Sequence, residues 1–200
     1  MKRPPATSLL HHLSRIALPA LLMLAPPGLH AGPLPAADAP RESWRAVLPW
    51  PQGCEDDWVA TGNGSGITTY RLPDGRSLVE VACTPGAYQG YQLYFLPGTD
   101  MSASQVPPLV FPLFEDTGGR PRQPLKKKPG SEVWGTPEFD AARGRLLLTN
   151  RFRGPGDCGT RAIYAFGRAG VRLVELRAKR SCDGRGAEHP ERWPRVPVPK

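Results

Sequence analysis

The chain has 200 residues, of which 25 are proline, 22 glycine and four cysteine, and its formal net charge is +8. So much proline and glycine excludes a fold built on long helices. No apolar run reaches the ~20 residues of a membrane-spanning helix, so no transmembrane segment is expected. The basic balance favours anionic partners.

Residues 1–31 have the anatomy of a secretory signal peptide. Lys2, Arg3 and Arg15 precede any acid, Ile16 to Ala25 form a short apolar stretch, Pro26-Pro27-Gly28 interrupts it and Ala31 ends it with a small residue. The expected location is therefore periplasmic or secreted. Losing this segment lowers the net charge from +8 to +5 and removes His11, His12 and His30, which leaves His189 as the remaining histidine. Residues 32–43 (GPLPAADAPRES) show no periodicity and read as a disordered leader ahead of a β-rich domain over 44–200.

From Trp44 onward the recurring pattern is alternation, and no window sustains a helical repeat. ITTYRL (67–72) runs through Pro73-Asp74-Gly75 into SLVEVAC (77–83), with Val79, Val81 and Cys83 on one face and Leu78, Glu80 and Ala82 on the other. Asp-Gly between alternating runs predicts a hairpin. YQLYFL (91–96) continues the pattern, and LVFPLF (109–114) predicts an edge strand because Pro112 cannot donate to an interior ladder. Residues 115–132 are polar, Pro/Gly-rich and basic, and read as a surface loop carrying Arg120, Arg122, Lys126, Lys127 and Lys128. Beyond it come GRLLLTNRF (144–152), RAIYAF (161–166) and VRLVELRA (171–178). In the last pair Val174, Leu176 and Ala178 are expected to pack with Ala162, Tyr164 and Phe166.

Cys54, Cys83, Cys158 and Cys182 all follow the leader, and an even number in an exported chain reads as disulfides. Four cysteines allow three pairings. The spacing, 28 residues between Cys54 and Cys83 and 23 between Cys158 and Cys182 against 74 in the middle, favours two local bridges. A Cys158–Cys182 bond would clip the outer ends of the hairpin over 161–178. The close cysteine pairs of zinc and redox motifs are missing, so no metal and no cofactor is expected.

The fold class expected is all-β: antiparallel hairpins stapled by two disulfides, in one domain or in two packed lobes over about 44–114 and 133–200. Asp157, between Gly156 and Gly159, is suited either to forming the turn or to contacting a partner.

LVEVACTPGAYQGYQLYFL (78–96) and the GPGDCG turn with its following hairpin, Cys182 and the Trp193-Pro194 pair resemble the secreted bacterial family called domain of unknown function 1176. Gln89 stands where that family usually has Asn, and Phe166 where Trp is common. The resemblance implies export and a β-rich fold, and brings no established activity or catalytic residue. The function expected is that of an exported envelope protein, a non-enzymatic binding or interaction module for an anionic envelope polymer or another exported protein. Candidate binding residues are Arg120, Arg122, Lys126, Lys127, Lys128 and Asp157. Nucleic acid is not an expected partner outside the cytoplasm. The alternative is a hydrolase using Asp157, Glu175 or His189, whose spacing supplies no paired acid–base motif.

Overall fold

A computed structural model describes residues 34–98, 106–115, 125–185 and 189–197. Residues 1–31, expected to form a signal peptide, and Arg120 and Arg122 lie outside the described residues. In chain order the elements are α1 (Arg41–Arg45), α2 (Gln52–Thr61), β1 (Ile67–Arg71), β2 (Ser77–Thr84), β3 (Gly90–Phe95), β4 (Phe111–Glu115), β5 (Lys126–Gly130), β6 (Val133–Asp140), β7 (Arg145–Arg151), β8 (Gly159–Gly167) and β9 (Gly170–Lys179). A 3-10 turn over Pro190–Arg192 follows. One sheet runs β1-β2-β3-β6-β7-β8-β9 and a second pairs β4 with β5, and every pairing is antiparallel. The protein is mostly β, with two sheets and two disulfides.

Alternation along β2 and β3 sorts their side chains into two cores. Val79, Val81, Cys83, Leu93 and Phe95 face Trp44, Leu48, Trp50 and Cys54 of the α1–α2 region. Leu78 and Tyr94 face the other way, into a larger core with Phe111, Phe114, Val133, Leu146, Leu148, Ala162, Tyr164 and Leu176. Phe111 makes the aromatic centre of that core, with its ring 5.0 Å from Tyr164 and 5.4 Å from Tyr94. Tyr164 also donates a hydrogen bond to the Pro112 carbonyl at 3.2 Å, which ties β4 to the main sheet.

The hairpin turn forms as its sequence requires. Asp74 accepts from the Arg76 N–H and guanidinium, and Gly75 takes a φ of +87° that a residue with a Cβ rarely adopts. Arg76 then reaches the carbonyls of Phe166 and Gly167 at the far end of β8.

Four sequence expectations change. Residues 34–43 do not all lie free of the fold: Leu34 and Ala39 pack on the smaller core, and α1 begins at Arg41. α2 is a ten-residue helix in a stretch without a helical repeat. Cys54 is its buried residue, so an apolar stripe was never needed; the disulfide to Cys83 does the anchoring. The basic segment is not wholly loop, because Lys126–Gly130 pairs with β4 as an exposed strand. Finally, the β8–β9 register shifts between Ile163, opposite Glu175, and Tyr164, opposite Leu173. The extra residue is Val174, so Leu173 and Val171 pack on the larger core in its place, while Leu176 packs there with Ala162 as expected.

Candidate functional site

The turn 152–159 is built around its carboxylate. Arg153 donates to both oxygens of Asp157, at 2.8 Å from Nε and 2.6 Å from Nη2, and the Gly184 N–H adds a 2.6 Å bond. Arg153 also donates to the Cys182 carbonyl at 3.0 Å, beside the Cys158–Cys182 bridge whose Cα atoms are 5.0 Å apart. The Arg153 hydrogen bonds hold the Asp157 carboxyl well below the usual carboxylate range, against the opposing effect of burial. Asp157 is 1% exposed, so it fastens the turn to the chain beyond β9 and is not on offer to a partner.

Glu175 and His189 are engaged elsewhere. Glu175 accepts from Arg177 and pairs with Arg195 at 3.1 Å, and His189 Nδ1 lies 3.2 Å from Glu191. Among the described residues, no hydrogen bond or ion pair joins Asp157, Glu175 and His189 to one another. General acid–base chemistry needs groups within reach of a common proton, and the three have separate partners. Nor do any three His, Cys, Asp or Glu side chains among the described residues gather as a metal-binding group.

Lys126, Lys127 and Lys128 stand on β5, which has β4 on one side and, among the described residues, no strand on the other. Lys128 pairs with Glu115 across the strands at 3.2 Å, while Lys127 lies opposite Phe114. Behind this ribbon a cleft of about 380 Å³ opens onto the main sheet, floored by Leu148, Ala162, Tyr164 and Leu176 and rimmed by Glu115, Lys128, Glu132 and Asn150.

A groove of similar size lies on the opposite face of the sheet, lined by Thr136, Glu138, Thr149, Arg151, Arg161, Pro190 and Glu191. In the sequence its arginines, Arg151 and Arg161, stand out only as part of the overall basic balance. Their signal was the alternation in LLLTNR, which turns Thr149 and Arg151 away from the face that buries Leu146 and Leu148.

Gln89 closes the seam between β3 and β6, which pair over only Gly90–Gln92 and Val133–Gly135. Its amide behaves like a strand neighbour of β7: Oε1 accepts from the Arg151 N–H at 2.8 Å, and Nε2 donates to the Arg151 carbonyl and to Asn150.

Two antiparallel sheets and two disulfides define the class. Within it, the chain belongs to the DUF1176 family, proteins of unknown function, whose family model matches residues 15–200. No curated protein and no solved structure matches the chain.

Proposed function

We propose that this protein is exported and serves as a non-enzymatic binding module of the cell envelope, with an anionic polymer as its partner. The observation that carries the reading is the contrast between its charges. The side chains suited to acid–base work are each engaged by separate partners, whereas β5 holds Lys126 and Lys127 exposed on a strand edge. Two disulfides support export, since such bonds persist in oxidising compartments. The basic composition supports an anionic partner, because a cationic field concentrates polyanions near the surface.

Retention of the oxidised protein on immobilised anionic polymers tests this. Binding should weaken as salt rises above physiological strength, where exposed charges are screened within ~8 Å. Replacing Lys126, Lys127 and Lys128 with Gln should lower retention and leave the melting temperature unchanged. Retention by a co-purifying exported protein, with no polymer bound, would turn the reading towards a protein partner.

A further inference from the structure

The groove on the outer face of β6–β8 presents its arginines differently from the lysine edge. Thr136, Thr149 and Arg161 are directly opposed across three strands. Arg151 lies opposite Gly159, two residues before Arg161, which makes the two arginines diagonal neighbours on one face, ~7–8 Å apart at Cα. Side chains of that length can converge on a single group.

Neither guanidinium is saturated. Arg161 has one carboxylate contact, at 3.5 Å, with a Glu138 that is 59% exposed. The Arg151 guanidinium makes no hydrogen bond or ion pair with any described residue, and its Nε is shut off from solvent. The stem is nevertheless held in place. Gly156, at φ +73°, packs so closely that a Cβ there would stand 3.0 Å from Arg151 Cδ and 3.1 Å from Nε. A positioned, unpaired guanidinium edge is what recognition of a planar anion requires, because little ordering remains to be done on binding.

We infer that Arg151 and Arg161 form a carboxylate-recognition site for an acidic polysaccharide, with the carboxylate of one sugar unit gripped between them. This rests on the proposed anionic-polymer function and assigns its specific contact to the groove in place of the lysine edge. The rim decides the ligand class. Glu138 and Glu191 disfavour a doubly charged phosphate more than a singly charged carboxylate, yet they accept hydrogen bonds from hydroxyl groups, and the exposed Thr136 hydroxyl can donate or accept. A carboxylate flanked by hydroxyls, as in a uronic acid, fits both sets.

The test is titration of the oxidised protein with an oligogalacturonate, followed by calorimetry. Arg151→Gln and Arg161→Gln should each weaken binding about tenfold or more, the loss expected of a charge-assisted hydrogen-bonded pair. Arg151→Lys should also bind poorly, since an ammonium lacks the planar fork, and its unchanged melting temperature would show an intact fold. The Lys126, Lys127 and Lys128 substitutions should cost less affinity than either arginine variant, since they weaken only the general cationic field. Equal binding of an oligoglutamate of the same length would overturn the saccharide assignment. Wild-type affinity in both glutamine variants, with retention lost in the lysine variant, would overturn the groove but keep the polymer reading. Failure of the wild type to bind any anionic polymer would remove both.

Discussion

Glu80 is a carboxylate placed where few proteins put one, inside the sheet and 9% exposed. Tyr70 and Tyr94 each donate to its Oε2 at 2.9 Å, and among the described residues no cation pairs with it. Burial raises its pKa above the ordinary glutamate value, while the two tyrosine hydrogen bonds pull the other way and do not overcome it. Burial likewise pushes the Tyr70 and Tyr94 hydroxyls well above their usual range, so both donors keep their protons. A carboxyl whose folded pKa is raised binds its proton more tightly in the native state. Its contribution to stability is complete below the unfolded value, ~4.3, and is lost as pH rises through the folded one. Glu80→Gln keeps an oxygen to accept both tyrosines and removes the titration. Thermal melts should therefore show the variant more stable than wild type at pH 7, with the difference vanishing below about pH 4. A constant difference at all pH values would mean that shape, not charge, decides at this site. The sequence placed Glu80 on the face with Leu78 by alternation, yet nothing in it announced that Tyr70 and Tyr94 would meet there. That meeting needs the β1–β2 and β2–β3 registers together.

At the scale of elements, what could be read in advance was what alternation and turn chemistry encode. β1, β2, β3 and the β7–β8–β9 run follow from their period, and both disulfides follow from cysteine spacing. α2 could not be found that way, because its contact with the rest is a bond and a charge cluster. Cys54 is joined to Cys83 of β2, and Glu55 accepts from both Arg41 and Trp50. Arg41 in turn lies 5.0 Å from the Trp50 ring and 5.1 Å from the Trp58 ring, a cation held between aromatic faces. β5 escaped for a related reason. Lys-Lys-Lys-Pro reads as a solvated loop, but lysine and proline are also what blunts an exposed strand edge against pairing with another chain. The lysines therefore serve the fold whether or not they also meet a polymer. Because α2 depends on its bridge, the double variant Cys54→Ala, Cys83→Ala should lose ~3–4 kcal/mol in urea unfolding, as expected for the loop it closes. Hydrogen exchange should show 52–61 losing protection first while β7–β9 keep theirs.

For the whole molecule, the question raised by the sequence is whether two lobes fold separately. The β3–β6 seam is short, with three residue pairs reinforced by the Gln89 amide. The cores, however, do not divide at that seam. Leu78 and Tyr94 of the first half pack with Leu146, Ala162 and Leu176 of the second, and the Tyr70 ring stacks on Phe139 at 4.5 Å. The smaller core is bound to the larger one through β2 and β3, which give alternate side chains to each: Val79 and Phe95 to one, Leu78 and Tyr94 to the other. Neither core can come apart without releasing strands that the other needs. The oxidised protein should therefore unfold in one transition, with calorimetric and van't Hoff enthalpies equal. Leu146→Ala removes a fully buried side chain from the larger core and should cost ~2–5 kcal/mol. That loss should appear undiminished in the tryptophan fluorescence of the smaller core, where Trp44 and Trp50 lie, and in the far-ultraviolet dichroism of the sheets. If the fluorescence midpoint stays at its wild-type value while the dichroism midpoint falls, the two cores fold independently.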